Sequence, residues 1–299
     1  MIAILFIALG ILALTFVIVW IVEVRKNPDT PDAGAPNAER VAVGFFANFF
    51  DALGIGSFAT TTTYYRFRKL VRDELIPGTL NVGHCLPTVT QAFIGIATIT
   101  VDFLTLVLMI ATAVAGAWVG AGVVSRLPRR AIQVGMGIAL LVAACFFFLS
   151  LMGMMPAGGE TVGVRGWLLA AGLVGSFLLG TIMPLGIGYY APCMILISLL
   201  GMNLKAAFPI MMGACAFLMP VASMEFVHKK RYSLRAAAGL AMGGVFGSAL
   251  ALLVVVSLPL YWVKWLVAFV VVYTGLSLLQ TAAREKRVAV APTLPSPSR

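Results

Sequence analysis

Asp51-Ala52-Leu53-Gly54-Ile55-Gly56-Ser57-Phe58-Ala59-Thr60-Thr61-Thr62-Thr63 interrupts an apolar segment that begins near Val41. Glycine permits the backbone angles that break a helix and lets a ligand or a second backbone come close. Irregular backbone at membrane depth survives only where protein or water satisfies its polar groups. A helix restarting after Gly56 presents free amides and a positive dipole end, both of which favour an anion. The stretch therefore predicts a broken, re-entrant element with a binding site at its turn.

The remainder of the chain supplies the bilayer this reading needs. Of 299 residues, 61% are hydrophobic and 11% charged, and the mean hydropathy is +1.02. A soluble domain cannot cover its core with so little polar surface. Apolar runs of roughly 20 residues recur, the length a helix needs to cross hydrocarbon, and they lack the alternation of a membrane barrel. The expected fold is an all-α integral membrane protein. The net charge of +10 sits in short loops between apolar runs, as orientation signals do, which argues against nucleic acid as a partner.

Leu53-Gly54-Ile55-Gly56 recurs as Leu185-Gly186-Ile187-Gly188, and Val123 to Pro128 resembles Val254 to Pro259, at offsets of 132 and 131 residues. Two matches at nearly one offset predict an internal duplication. If both LGIG segments dip in and return, 18 of the 21 Lys and Arg share one side, with Arg165, Lys205 and Lys264 opposite. If every apolar segment crosses, the bias vanishes. Charge thus favours two repeats of three spans plus one re-entrant hairpin each, with an extra N-terminal helix. An odd number of spans per repeat inverts the second copy relative to the first, the arrangement of alternating-access transporters. Trp167 to Met183 is nearly long enough to span alone.

The expected organisation is an uncleaved N-terminal helix over 1–22, a cytoplasmic linker over 23–40, repeat 1 over 41–153, an extracytoplasmic loop over 154–165, repeat 2 over 166–281 and a disordered cytoplasmic tail over 282–299. The N-terminus is expected outside and the C-terminus in the cytoplasm of a cell inner membrane.

Candidate substrate-binding residues follow the two breaks: Gly54, Gly56, Ser57, Thr60 and Thr61 in the first, Gly186, Gly188 and Tyr189 in the second. Asn81, His84, Thr88 and Gln91 fall on one face of the next helix, a polar stripe that should face a cavity; Asn81 and His84 join the candidates. His84 could bind an anion or simply join two helices. Asp51, beside Asn48, is a proton-coupling candidate, because a carboxyl at membrane depth is costly unless it has work to do. Cys85, Cys145, Cys193 and Cys215 lack metal or disulfide spacing and read as buried packing. No phosphate-binding loop, HExxH or nucleophile–base pair is present, so neither an enzyme nor a cofactor is expected.

The motifs also resemble the TauE/SafE family, the sulfite-exporter-like permeases, from about Val41 to Gln280. The resemblance rests on Gly54-Ile55-Gly56-Ser57, Gly78-Thr79-Leu80, Gly116 to Gly120 and Arg126-Leu127-Pro128, then Gly186-Ile187-Gly188 with Pro192, Gly243-Gly244 and Gly247. Ser57-Phe58 replaces further glycines, and Pro209-Ile210-Met211 stands where a second GTS-like element would fall. The resemblance implies export of sulfite or a small organosulfonate, with proton coupling. The residues by themselves point to a small anion, leaving a passive channel or a non-transporting scaffold as alternatives.

Overall fold

The computed structural model describes residues 2–26, 32–53, 56–95, 101–154, 159–186, 188–253 and 261–290. Its elements are helices: α1 (Ile2–Lys26), α2 (Ala38–Ala52), α3 (Ser57–Phe67), α4 (Ile76–Gly95), α5 (Phe103–Val124), α6 (Arg129–Leu151), α7 (Gly166–Ile182), α8 (Tyr190–Leu199), α9 (Ala207–His228), α10 (Leu234–Leu253) and α11 (Tyr261–Val290). Short 3-10 turns precede α4 and α9 and follow α7. Among the described residues six helices are long and apolar enough to cross a membrane: Ala3–Lys26, Phe103–Val124, Arg129–Leu151, Gly166–Leu185, Ala207–His228 and Leu234–Leu253.

The outer surface is apolar in the way lipid permits. Ile4, Ile7, Ile11 and Leu14 of α1 are exposed, while Leu9 and Phe16 are fully buried against the bundle, where α1 packs on α9 and α4. The first helix is therefore part of the bundle, and Trp20 Nε1 donates to the Tyr232 hydroxyl (3.1 Å). Cys145 is exposed, unlike the other three cysteines. It shares the outer face of α6 with exposed Ile138 and Val142, so it is not the buried packing residue its apolar context predicts.

At the centre α4 packs on α9, and α9 is buried along most of its length. Around them α2 lies on α10 and α5 on α7, α10 also meets α4 and α5 also meets α9, and α6 lies on α11. Glycines set the two closest approaches. A Cβ at Gly243 or Gly247 would stand 1.9 or 2.1 Å from the carbonyl oxygens of Val41 and Phe45 on α2. One at Gly116 or Gly120 would stand 2.1 or 2.0 Å from those of Phe177 and Thr181 on α7. Small residues at four-residue spacing allow such backbone contact in membrane bundles.

Polar contacts sort the loops into two ends. At one end, Arg66 pairs with Asp73 (2.9 Å), Arg130 donates to Ala282 O, Arg231 donates to Leu127 O, Arg235 donates to Ala35 O, and Arg68 pairs with Glu39. At the other, Arg165 grips Asp102 with two hydrogen bonds (2.7 and 2.8 Å), and the 159–161 segment bonds to Met202 O, Gly201 O and Asn203 N.

Two expected boundaries move. The segment expected as a linker is, where described, a docked strap: Asp32 accepts from Ser233 Oγ (2.7 Å) and from Arg40 (3.3 Å), and Asn37 caps α2. The tail expected to be disordered from Ala282 continues α11 to Val290. Ala282, Ala283, Arg284, Glu285, Lys286 and Arg287 are all strong helix formers that extend the helix beyond its apolar part. Residues 291–299 lie outside the described residues.

Candidate functional site

The first break lies between α2 and α3. Neither helix alone matches hydrocarbon thickness: 15 and 11 residues reach only about 22 and 17 Å at the helical rise, against about 30 Å. Gly56 starts α3 with φ +87, and a Cβ there would meet nothing within 4 Å. This glycine is thus required by its backbone angle and not by packing, in contrast to Gly243 and Gly120. Gly54 lies outside the described residues. In the second break the positive φ falls on Gly186 (+113), where it ends the 3-10 turn after α7. Gly188 lacks that angle, and a Cβ on it would also meet open space.

Asp51 sits in the last turn of α2, buried. Its Oδ1 accepts from the Ser57 backbone N–H (2.7 Å), the first amide of α3. Its Oδ2 accepts from Gln91 Nε2 (2.9 Å) on α4. Gln91 Nε2 also donates to Ser248 Oγ (3.0 Å) on α10, and Gln91 Oε1 accepts from the Tyr190 hydroxyl (2.9 Å). Tyr190 is the first residue of α8. One hydrogen-bonded chain therefore runs from the start of α3, through Asp51 and Gln91, to the start of α8. No cation pairs with Asp51 among the described residues.

This geometry answers the expectation of a vacant amide. The Ser57 N–H, predicted to meet a substrate anion, is held by the protein's own carboxylate, so the first charge at this helix start is internal.

His84 turns out to be a joint. Nδ1 meets Asn48 Oδ1 (3.0 Å) and Nε2 meets Thr61 Oγ1 (3.1 Å). Asn48 Nδ2 is already donating to Gly44 O (2.8 Å), so its Oδ1 accepts, His84 Nδ1 carries the proton and Nε2 accepts from Thr61. Both ring nitrogens and the Thr61 hydroxyl are thereby spent on joining α2, α3 and α4. This is the helix-joining alternative for His84, and Thr61 shares in it.

Asn81 ties α4 to the second break, since its Nδ2 donates to Pro184 O (3.1 Å) in the 3-10 turn as well as to Pro77 O (2.8 Å) of its own helix. Among the described residues its Oδ1 is buried with no partner, as are the hydroxyls of Thr62 and Thr63. Thr60 bonds back to its own helix at Gly56 O and Ser57 O. The hydroxyl that joins the Asp51 chain belongs to Tyr190 and not to its neighbour Tyr189, the sequence candidate. Neither Ser248 nor Tyr190 carries a sequence signal that marks it. Gln91 stands in the polar stripe yet outside the expected ligands.

A cavity of about 600 Å³ opens between α3 and α11, lined by Thr60, Thr63, Tyr64, Arg66, Tyr273 and Ser277 among others. It runs along α3 from the basic end of the bundle to the first turn after Gly56.

Comparison of the chain with protein-family models, with curated proteins and with solved structures finds no match.

Proposed function

We propose that the chain is a secondary transporter in which a small anion and one proton occupy a shared centre between two re-entrant hairpins. Its spans are α1, α4, α5, α6, α9, α10 and α11, and its repeats are α2–α6 and α7–α11. Three observations support this architecture. Helix order and approximate length recur in the two halves. The contacts recur under exchange of halves, α2 on α10 matching α7 on α5 and α4 on α10 matching α9 on α5. Finally, the start of α2 and the end of α3 meet through Glu39 and Arg68, while at the opposite end the segment leading into α7 bonds through Thr161 to Gly201, just past the end of α8. By length and hydropathy alone α7 would cross; the place of its partner α8 argues that the pair returns.

The hydrogen-bonded chain from Ser57 through Asp51 and Gln91 to Tyr190 carries the functional reading. With Asp51 ionised, its carboxylate occupies the amide end of α3 and repels a second anion. A proton on Oδ2 removes that charge, and the helix starts of α3 and α8 then face the substrate with their partial positive ends. Proton and anion load together. Direction follows the sum of their gradients, so export operates when the anion's outward drive exceeds the proton's inward drive. The threonine-lined cavity is the access path from the basic side, taken as cytoplasmic under the positive-inside rule. Sulfite and small organosulfonates are the first substrates to test, in a bacterial-type inner membrane with the N-terminus outside.

The test is uptake of labelled sulfite and of a small sulfonate into proteoliposomes. Saturable uptake that acid on the substrate side accelerates supports the reading, and loss of that acceleration in Asp51→Asn ties it to the site. Uptake indifferent to pH in the wild type would reject proton coupling. Absence of flux for every anion would favour the scaffold.

A further inference from the structure

The turns between α5 and α6 and between α9 and α10 border a second cavity, of about 450 Å³ and open to the surface, at the basic end of the bundle. Ser125, Arg126, Arg129, Lys229 and Arg231 line it, with Glu74 the single carboxylate on its wall.

Elsewhere at this end cations are matched closely by acids: Arg66 with Asp73 at 2.9 Å and Arg68 with Glu39 at 2.8 Å. Around the cavity the balance differs. Arg129 is partnered, with the carboxylates of Asp73 and Glu74 each 3.9 Å away. Arg126 is exposed and has no acidic partner among the described residues. Arg231 spends one terminal nitrogen on Leu127 O (2.8 Å), while its Nε is buried without an acceptor among the described residues. Lys229 is closely paired with Glu225, and it also donates to Ser125 Oγ (3.0 Å). Helix α6 begins at the same place. Pro128 is its N-cap and supplies no side-chain cap, so first-turn amides and the positive dipole end add to the arginines.

Planar guanidinium groups beside a helix N-terminus match a tetrahedral oxyanion with several acceptor oxygens. We infer that this cavity binds a phosphate group, independently of the central site. Exposed Val123 on the last turn of α5 places the cavity beside the lipid-facing surface. The headgroup of an anionic phospholipid therefore meets it without leaving the bilayer, in the manner of basic inter-helix pockets. Because Arg231 and Lys229 already tie α9–α10 to the α5–α6 turn, a phosphate held there links the two halves more firmly.

Short-chain phosphatidylglycerol, phosphatidylcholine and inorganic phosphate are titrated onto the purified full-length protein in neutral detergent, following the thermal midpoint and the apparent dissociation constant. Phosphatidylglycerol is expected to saturate and raise the midpoint, with phosphatidylcholine much weaker. Arg126→Gln with Arg129→Gln should weaken binding by about 25-fold, at about fivefold per basic group. Should the double variant unfold, Arg126→Gln alone should weaken it about fivefold. Inorganic phosphate competing at similar affinity identifies a free-phosphate site, and its failure to compete identifies the headgroup. Wild-type affinity in the variants, or an equal loss in the remote Arg25→Gln and Lys26→Gln pair, would overturn the assignment.

Discussion

Asp51→Asn isolates charge from shape at the proposed centre. The Ser57 N–H bond survives, because the oxygen of the introduced amide accepts where the carboxylate does at 2.7 Å. The introduced NH₂ faces Gln91 Nε2, which in the wild type donates to Asp51, so the Gln91 amide must turn over. Its Oε1 then accepts from the introduced NH₂ and from the Ser248 hydroxyl, and its Nε2 donates to the Tyr190 oxygen. The Tyr190 hydroxyl proton and one Gln91 N–H then lose their acceptors, so stability should fall by about 1–3 kcal/mol. An anion bound by the remaining first-turn amides of α3 would lie about 5 Å from the carboxylate; at an effective dielectric of about 20, their repulsion is about 3 kcal/mol, a factor of about 200 in affinity. Wild-type anion binding should therefore weaken by that order as pH rises and Asp51 loses its proton, while Asp51→Asn binds tightly throughout. Calorimetric titration of sulfite or sulfonate onto the purified protein at about pH 5 to 8 measures both curves. A variant that keeps the wild-type pH dependence, in a folded protein, refutes the assignment of the proton to Asp51.

Gly120→Val drives a side chain against Thr181 O, 2.0 Å from the added Cβ, and should cost at least about 1–3 kcal/mol, read as a lower thermal midpoint. Gly56→Leu meets open space but must hold φ +87 with ψ +122, costing about 1–3 kcal/mol of backbone strain; it and Gly188→Leu should leave inserted protein without transport, and undiminished flux in both would remove the breaks from the site. Hydrogen bonds from Arg165 and the Thr105 N–H hold the Asp102 carboxyl well below its usual range. That stabilisation is present above the unfolded value of about 3.9 and is lost as pH falls through the lower folded value. The midpoint deficit of Asp102→Asn should thus be worth about 1 kcal/mol at about pH 7 and close as pH falls below about 4, and a deficit independent of pH would contradict it. Single cysteines at Lys69 and Lys230 should react with an impermeant reagent from the same side, and labelling from opposite sides would reject the hairpin topology.

Much of the bundle is legible because each lipid-facing helix must be apolar over its own length, a local property visible in stretches such as Phe103 to Val124. The first break is legible for the same reason: Gly56 needs its positive φ whatever surrounds it. The centre is less so. Asn81, His84, Thr88 and Gln91 announce a buried face by spacing, but the partners that decide their roles come from other helices. Nothing near His84 in sequence says that Asn48 and Thr61 fill both its nitrogens, and the roles of Tyr189 and Tyr190 are exchanged by a rotation of one residue at the start of α8. Ser248 is a small residue in a glycine-rich helix until Gln91 is brought against it. The continuation of α11 past Ala282 is hidden because lost hydrophobicity marks the end of a span and not the end of a helix.

The central claim is that anion and proton move together, and proton movement driven by the anion alone tests it most directly. Proteoliposomes with a trapped pH indicator, a clamped membrane potential and no initial pH difference receive external sulfonate, whose own acid–base equilibrium contributes nothing near neutrality. The account predicts acidification of the lumen in step with sulfonate uptake by the wild type, and sulfonate uptake without acidification by Asp51→Asn. Uptake by the wild type at constant internal pH would contradict it.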